Sequence, residues 1–342
     1  MRTSRVIAYA GSVLLVMLAA CTSSAPATSS AAHSKSAGHG AYSQLTTSQA
    51  YSAFAAFLPQ FADLSAHPAD IGRLATGPEL QVLTASHGLT GPAVADVTDT
   101  RILVPELTSY PRWFVAGGSS SSTKHGVLFV LVQRAAGAPW QETAELYDLS
   151  AQPQLMPDLV AAGFAPAATT QTVPGSGASL TIQPAQLPAA YAQYLNDSGT
   201  GAERAKFKAG TDTTGLVSLE HAAAAGARPD GWKYTDSQAA VGLPEYALGL
   251  PGGDGAAVIF FTIDTVTWTA LSAGARMPSA TYSGLSEPPL QILKALGIRS
   301  PHAGLRVSVK AVDENLAFIG PPGTNGVAIA ANVGRTISLS KS

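Results

Sequence analysis

Six apolar residues in a row, Val127-Leu-Phe-Val-Leu-Val132, limit the fold more than any other stretch of the chain. The run is far shorter than the ~20 residues needed to cross a bilayer as a helix. Bounded by polar turns, it suits a central strand buried on both faces. Its neighbours read as strands too. Arg101 to Glu106 and Tyr110 to Ala116 are short extended runs, and Gly137-Ala-Pro139 makes a turn. Trp140 to Tyr147 alternates, with Gln141, Thr143 and Glu145 on one side and Trp140, Ala144 and Leu146 on the other. Glu142 falls on the apolar side as an exception.

Helix signals precede these strands. Thr46 and Gln49 have the spacing of a capping box. Tyr51, Phe54, Leu58 and Phe61 then recur at helical spacing, and Phe57 and Leu64 widen the same apolar face. Pro59 lacks a backbone N–H, so a kink or interruption is expected there. A second short helix is expected near Ala69 to Leu83. Helices first and antiparallel strands after argue an α+β class.

The order then repeats. Residues 151–186, rich in Pro, Ala, Gly, Thr and Gln, read as a crossing between an N-terminal α+β domain over 46–150 and a C-terminal one over 187–342. Leu187 to Leu195 and Thr213 to Ala225 read as helices. Trp232 to Ala240, Ala256 to Ile263 and Thr265 to Ala270 read as strands, and Val258-Ile-Phe-Phe261 resembles the buried run of the first half. Pro288 to Leu296 reads as a short inserted helix. Leu305, Val307, Val309 and Ala311 alternate with Arg306, Ser308 and Lys310, Gly320-Pro-Pro-Gly323-Thr-Asn-Gly326 signals a turn, and Val327 to Leu339 alternates again. Each half has material for a core, so two similar globular halves with a substantial interface are expected.

The chain's one cysteine, Cys21, follows a start with two arginines, Arg2 and Arg5, and an apolar run from Val6 to Met17. That succession is the pattern of an export signal. With a single thiol, an exported domain has no internal disulfide and depends on its core. Residues 22–45 are mostly Ser, Ala, Thr and Gly, with Lys35 as the sole charge and no large aliphatic side chain before Leu45, too polar and small to offset their ordering entropy. They read as a flexible tether over 21–45, with a reach of about 25–30 Å. His33 and His39 within it read as solvated linker residues. Charged residues make up 12% of the chain, against a usual share near ~25%, so the surface must lean on Ser, Thr, Gln, Gly and Ala. The net charge of −2 supplies no field to attract nucleic acid or anionic lipid.

Leu18-Ala-Ala-Cys21 resembles the lipobox of bacterial lipoproteins. The resemblance implies removal of residues 1–20 as a signal peptide, a diacylglyceryl thioether on Cys21, and anchoring to the outer face of the cell membrane. Helices leading into a curved antiparallel sheet, twice, resemble the nuclear-transport-factor-2-like cone fold. The lipobox, the first helix, Leu107 to Gly117, Leu131 to Gln141 and the second half together resemble a family of uncharacterised secreted lipoproteins of Gram-positive bacteria, most distinctively at Tyr110-Pro-Arg-Trp-Phe114. That likeness implies location and architecture and attaches no catalytic residue.

Chemical signatures are sparse. There is no Gly-x-Ser-x-Gly elbow, His-Glu-x-x-His helix, Walker loop or Gly-x-Gly-x-x-Gly turn. Ser121-x-x-Lys124 matches a serine-enzyme motif but sits in a polar loop, and Ser338-x-x-Lys341 is at the C-terminus. His67, Asp70 and His87 have the chemistry of zinc ligands, yet Asp70 at a helix start reads better as a residue facing the dipole. Arg204, Lys206 and Lys208 beside Glu203 read as a solvated patch. Glu220 and His221 are helical neighbours and are expected to diverge.

The constellation of interest is Asp96, Asp99, Arg101 and Glu106 near Tyr110, Arg112 and Trp113. Tyr110, Arg112 and Trp113 are the candidate ligand-binding residues, although alternation puts Arg112 and Phe114 on one face and Trp113 and Val115 on the other. Trp113 reads as core, and Arg112 as a partner for a carboxylate. No catalytic residue, metal or cofactor is expected. The leading reading is a monomeric, lipid-anchored module that binds a small molecule or an envelope protein and no nucleic acid. A structural or assembly lipoprotein with paired domains as a docking surface is the first alternative. A small enzyme with an acid–base pocket is the second.

Overall fold

The computed structural model describes residues 44–86, 97–105, 107, 109–120, 126–147, 180–228, 231–240, 246–249, 257–271, 296–298, 304–320 and 326–342. For 246–249 and for 257–271 other than Thr262 and Ile263, only the backbone is described. Cys21 and the tether, His87, Asp96, Glu106, Ser121 to Lys124, the crossing over 151–179 and residues 288–295 of the inserted helix lie outside the described residues.

The first helix, α1 (Thr47–Ala62), starts on the expected capping box. The backbone N–H of Gln49 donates to Thr46 Oγ1 at 3.2 Å, and the Thr46 N–H donates to Gln49 Oε1 at 2.9 Å. Where sequence reading expects a kink, α1 runs through Pro59, with Ala50, Phe54, Phe57 and Phe61 buried. The anchoring of one continuous aromatic face on both sides of the proline outweighs the lost hydrogen bond. The second expected helix is two pieces, α2 (Ile71–Leu74) and α3 (Gly77–Ala85). Between them Ala75 makes a parallel bridge to Glu142, and the Thr76 N–H donates to the Glu142 carbonyl at 2.8 Å. Gly77 restarts the helix at φ 60°, a left-handed value that glycine adopts without steric cost.

Strands β1 (Val97–Leu103), β2 (Arg112–Ser120), β3 (Gly126–Gln133) and β4 (Gln141–Leu146) form an antiparallel meander in the order β1-β2-β3-β4. Val127 to Val132 lie at its centre, all buried. Phe114, Ala116, Val127, Phe129 and Leu131 meet the α1–α3 layer on one face, with the Phe54 and Phe129 rings 5.4 Å apart. On the other face Trp113, Val115, Leu128, Val130 and Val132 meet residues of the second half. The free edge of β4 is closed by the bridge at Ala75 and by Gln141 Nε2, which donates to the Gly72 and Ala75 carbonyls at 3.1 and 3.3 Å. Closing an exposed edge removes a template for unwanted pairing.

The second half repeats the order. Helices α4 (Leu187–Asn196) and α5 (Leu216–Ala227) precede β5 (Trp232–Ala240), β6 (Tyr246–Gly249), β7 (Ala257–Leu271), β8 (Arg306–Ile319) and β9 (Val327–Lys341). The antiparallel sheet runs β5-β7-β8-β9, with β6 also paired to β7. The two strands expected over 256–270 are one, because β8 pairs along the whole length of β7, including Asp264 opposite Val312. Tyr191, Tyr194, Leu195 and Phe207 pack with Ile263, Ala317, Ile319 and Val327 into one core under α4. At the start of β9, Gly326 (φ 70°) passes so close to the Lys206 carbonyl that a Cβ there would sit 2.5 Å from it.

The two sheets remain separate and share a core. Leu316, Ala330 and Ala331 of β8 and β9 pack into the cluster formed by Leu103, Trp113, Val115, Leu128, Val130, Val132, Ala144 and Leu146. The architecture is thus α+β, with helices preceding an antiparallel sheet in each half.

Candidate functional site

Two groups of polar residues are built into this frame. One fills the junction between the sheets, and the other lines a cleft.

The junction group follows from a bulge. Opposed to β3, the residues of β4 pair as Val130 with Ala144 and Leu131 with Glu142, so Thr143 is the extra residue. A one-residue bulge moves every preceding side chain to the other face. Glu142 therefore leaves the apolar side given by strict alternation and joins Glu145, whose partner is Phe129, on the side that meets the helices. Glu79 of α3, Glu314 of β8 and Arg335 of β9 complete the group, and each of the four carboxyl side chains is buried. The Arg335 guanidinium grips Glu79 as a fork, with Nη1 donating to Oε1 at 3.1 Å and Nη2 to Oε2. Nη1 also reaches Glu145 Oε2 at 3.2 Å, Nη2 contacts Glu314 Oε2, and the Glu145 N–H donates to that same oxygen at 3.0 Å. Neither carboxyl oxygen of Glu142 has a hydrogen-bond partner.

Four carboxyls and one cation cannot all be charged cheaply away from water. Burial raises each carboxyl pKa, and Arg335 lowers it in part. Glu145 is pushed up to about 7 and Glu314 to about 8, each by burial first. Glu142 goes well above the usual range, through burial and then the charges of Glu79 and Glu145. Through Arg335 and Glu314 the group ties α3 and β4 of the first half to β8 and β9 of the second.

The cleft lies where α4 and α5 cross over β5. Alternation along β5 turns Trp232, Tyr234, Asp236 and Gln238 inward, while Lys233, Thr235 and Ser237 are exposed. Three of those four inward residues are polar. Asn196, at the end of α4, closes the outer edge of the strand: its Nδ2 donates to the Gln238 carbonyl and its Oδ1 accepts the Gln238 N–H, both at 2.8 Å. Glu220 and Ala224, four apart on α5, face the strand together. The resulting cleft of ≈ 150 Å³ is lined by Leu195, Asn196, Ser198, Glu220, His221, Ala224, Tyr234, Thr235, Asp236 and Gln238. Glu220 and His221 were expected to diverge, yet both border it, because adjacent helical residues can share a rim that neither points straight into.

Glu220 is pushed up to about 8, first by burial, then by the carboxylates of Asp236 and Asp313 and by its hydrogen bond with Asp236. At neutral pH it is a neutral acid that donates its proton to Asp236. The Tyr234 hydroxyl also donates to Asp236 Oδ2, at 3.3 Å. Gln238, 8% exposed, holds an amide oxygen with no hydrogen-bond partner. No lysine or arginine is among the described residues lining the cleft.

The sequence-selected residues lie elsewhere. Arg112 is buried, with its guanidinium carbon 4.6 Å from the centroid of the Tyr110 ring, while Trp113 points to the opposite face and packs between the sheets. Asp99 takes φ 52° in β1, where Arg101 is exposed. His67 pairs with Asp63 at 2.8 Å and Asp70 with Arg73 at 3.3 Å, all well exposed. Among the described residues no three His, Cys, Asp or Glu side chains are grouped to hold a metal. Lys206 pairs with Glu203 at 2.7 Å. None of the residues lining the cleft is among the binding candidates of the sequence, although the polar inward row Tyr234, Asp236 and Gln238 of β5 is a readable signal for it.

No helix among the described residues is long and apolar enough to cross a membrane. No solved structure matches the chain. An "Uncharacterized lipoprotein" of Streptomyces avermitilis is 30% identical over 186 residues, covering 52% of this chain and 50% of that protein. The chain therefore spans about half the length of that relative. A family described as a domain of unknown function, DUF8094, matches residues 83–284, which include every residue lining the cleft together with Glu142 and Glu145. That match covers more than half of the chain, and the chain belongs to the DUF8094 family.

Proposed function

We propose that this chain is a lipid-anchored binding protein of the bacterial cell envelope, held to the outer face of the membrane through Cys21, with the cleft between α4, α5 and β5 as its ligand site. The likeness to a lipoprotein and the lipobox at Cys21 support the anchor. The cleft carries the binding reading. It places hydrogen-bonding groups from two helices and a strand around ≈ 150 Å³, and binding sites typically combine a concavity with a few convergent polar groups. This volume suits a ligand smaller than a nucleotide. A tether of about 25–30 Å would let the folded part work clear of the headgroups.

Two measurements test this reading. Mass spectrometry and fractionation of the protein from its cells should show a diacylglyceryl mass at Cys21 and membrane association, both lost in Cys21→Ala. A thermal-shift screen of polar metabolites should give ligands whose stabilisation disappears in Ala224→Trp, which fills the cleft. A wild-type chain free of lipid, or ligands indifferent to Ala224→Trp, would contradict the anchor or the site respectively. Acid–base catalysis in the same cleft is a second reading, favoured by a Glu220 pKa of about 8, near the value suited to proton transfer at neutral pH. Turnover of a bound ligand that stops in Glu220→Gln would establish it.

A further inference from the structure

We propose that the cleft takes a small organic ammonium ion, seated among the Glu220 and Asp236 carboxyls and the unpartnered Gln238 amide oxygen. This deepens the reading of the cleft as a ligand site and rests on it. The cleft is rich in acceptors. The Asp236 carboxylate and the Glu220 carboxyl share one proton, and the buried Gln238 amide oxygen beside them receives no donor. A buried acceptor left without a donor is costly, and a ligand bearing N–H groups relieves that cost. A primary ammonium supplies three donors and one positive charge. An anion would meet Asp236 and the nearby Asp313, and a neutral alcohol brings no charge to offset them.

Among the described residues, the titratable groups lining the site are Glu220 and His221 on α5 and Tyr234 and Asp236 on β5, and Asp313 of β8 lies within electrostatic reach of Glu220. Tyr191 of α4 lies behind, within electrostatic reach of Glu220. The exchange balances. The free site holds one proton between Glu220 and Asp236; the bound site holds the ammonium between two carboxylates; the proton goes to solvent. The cleft's net charge is unchanged. A volume of ≈ 150 Å³ corresponds to about five waters at their liquid volume, enough for a short alkylamine. The ammonium could belong to a free amine or to a lysine side chain.

Isothermal titration of the full-length chain in detergent tests this, at pH 7 in two buffers of different ionisation enthalpy. The probes are 1,4-diaminobutane, Nα-acetyl-lysine amide and the neutral 1,4-butanediol. At least one amine should bind and the diol should not, and the difference between buffers should report release of close to one proton. A stronger response to acetyl-lysine amide assigns the ammonium to a lysine, and a stronger response to the diamine assigns it to a free amine. Asp236→Asn should weaken binding roughly tenfold or more, the scale of a lost charge-assisted hydrogen bond. Glu220→Gln should still bind but release no proton, a change that a merely structural role would not produce. Absence of amine binding to the folded wild type, or proton release that persists in Glu220→Gln, overturns the proposal. If the diol or another neutral ligand binds instead and is lost in Ala224→Trp, the ammonium is wrong while the cleft stands as a ligand site. If no ligand of any class responds to Ala224→Trp, both fail.

Discussion

Among the described residues Arg335 is the one cation paired with the buried carboxyls of Glu79, Glu145 and Glu314, beside Glu142, so its removal should cost more than a surface ion pair would. Taking one partner out of a buried pair typically costs about 3–5 kcal/mol, because the remaining charges are stranded. Arg335→Met should therefore lower unfolding free energy in urea by about that amount at pH 8. The loss should shrink at pH 5, where protonated carboxyls need no cation. A loss under about 1 kcal/mol at pH 8 would mean that the group is already neutral without the arginine. Glu142 has the opposite sign. Its carboxyl has no partner and is held protonated, so Glu142→Gln keeps the neutral form at every pH. Thermal melts should find it close to wild type at pH 5 and a few degrees more stable at pH 9. Equal melts at both values would contradict a Glu142 pKa raised in the fold above its unfolded value.

Among the elements, α1 carries its own start signal, and that signal can be removed by itself. Thr46→Ala deletes one of the two capping hydrogen bonds and should cost about 1 kcal/mol in urea unfolding, with the unfolding slope unchanged. No measurable loss would show that the aromatic face of α1 holds the helix end without its cap. The capping box, the limits of β5 and the burial of Val127 to Val132 could all be read from the sequence, since each depends on neighbours along the chain. Features set by distant pairing could not. Asp264 breaks an apolar run and suggests two strands, but opposite Val312 it sits within one continuous ladder. Glu142 breaks the alternation of β4, and the bulge at Thr143 that puts it on the same side as Glu145 depends on pairing with β3. The same limit hid the cleft. The inward row of β5 was visible as Trp232, Tyr234, Asp236 and Gln238, but only the crossing of α5 shows that Glu220 meets it.

Across the whole molecule, the raised carboxyls tie stability to pH with one sign. Glu145 at about 7 and Glu314 at about 8 lie above the value of 4.5 expected for an unfolded chain, so the folded state binds more protons between those limits. Their contribution is fully present below pH 4.5 and is lost as pH rises through 7 and 8. The melting temperature should therefore fall between pH 6 and pH 9, and the fall should be smaller in Glu142→Gln. Because Leu316, Ala330 and Ala331 share a core with the first sheet, both sheets should melt in one transition. The cleft hangs on the same kind of proton, held on Glu220 at neutral pH, and its chemistry as a site follows from where that proton is. A carbon-13 titration of the glutamate carboxyls in the full-length chain, with the Glu220 signal assigned by its loss in Glu220→Gln, reads that proton directly. A midpoint of about 8 for Glu220 is expected. A midpoint at the ordinary glutamate value of 4.5 would show a charged, solvated side chain and contradict the assignment of the cleft as a proton-holding ligand site.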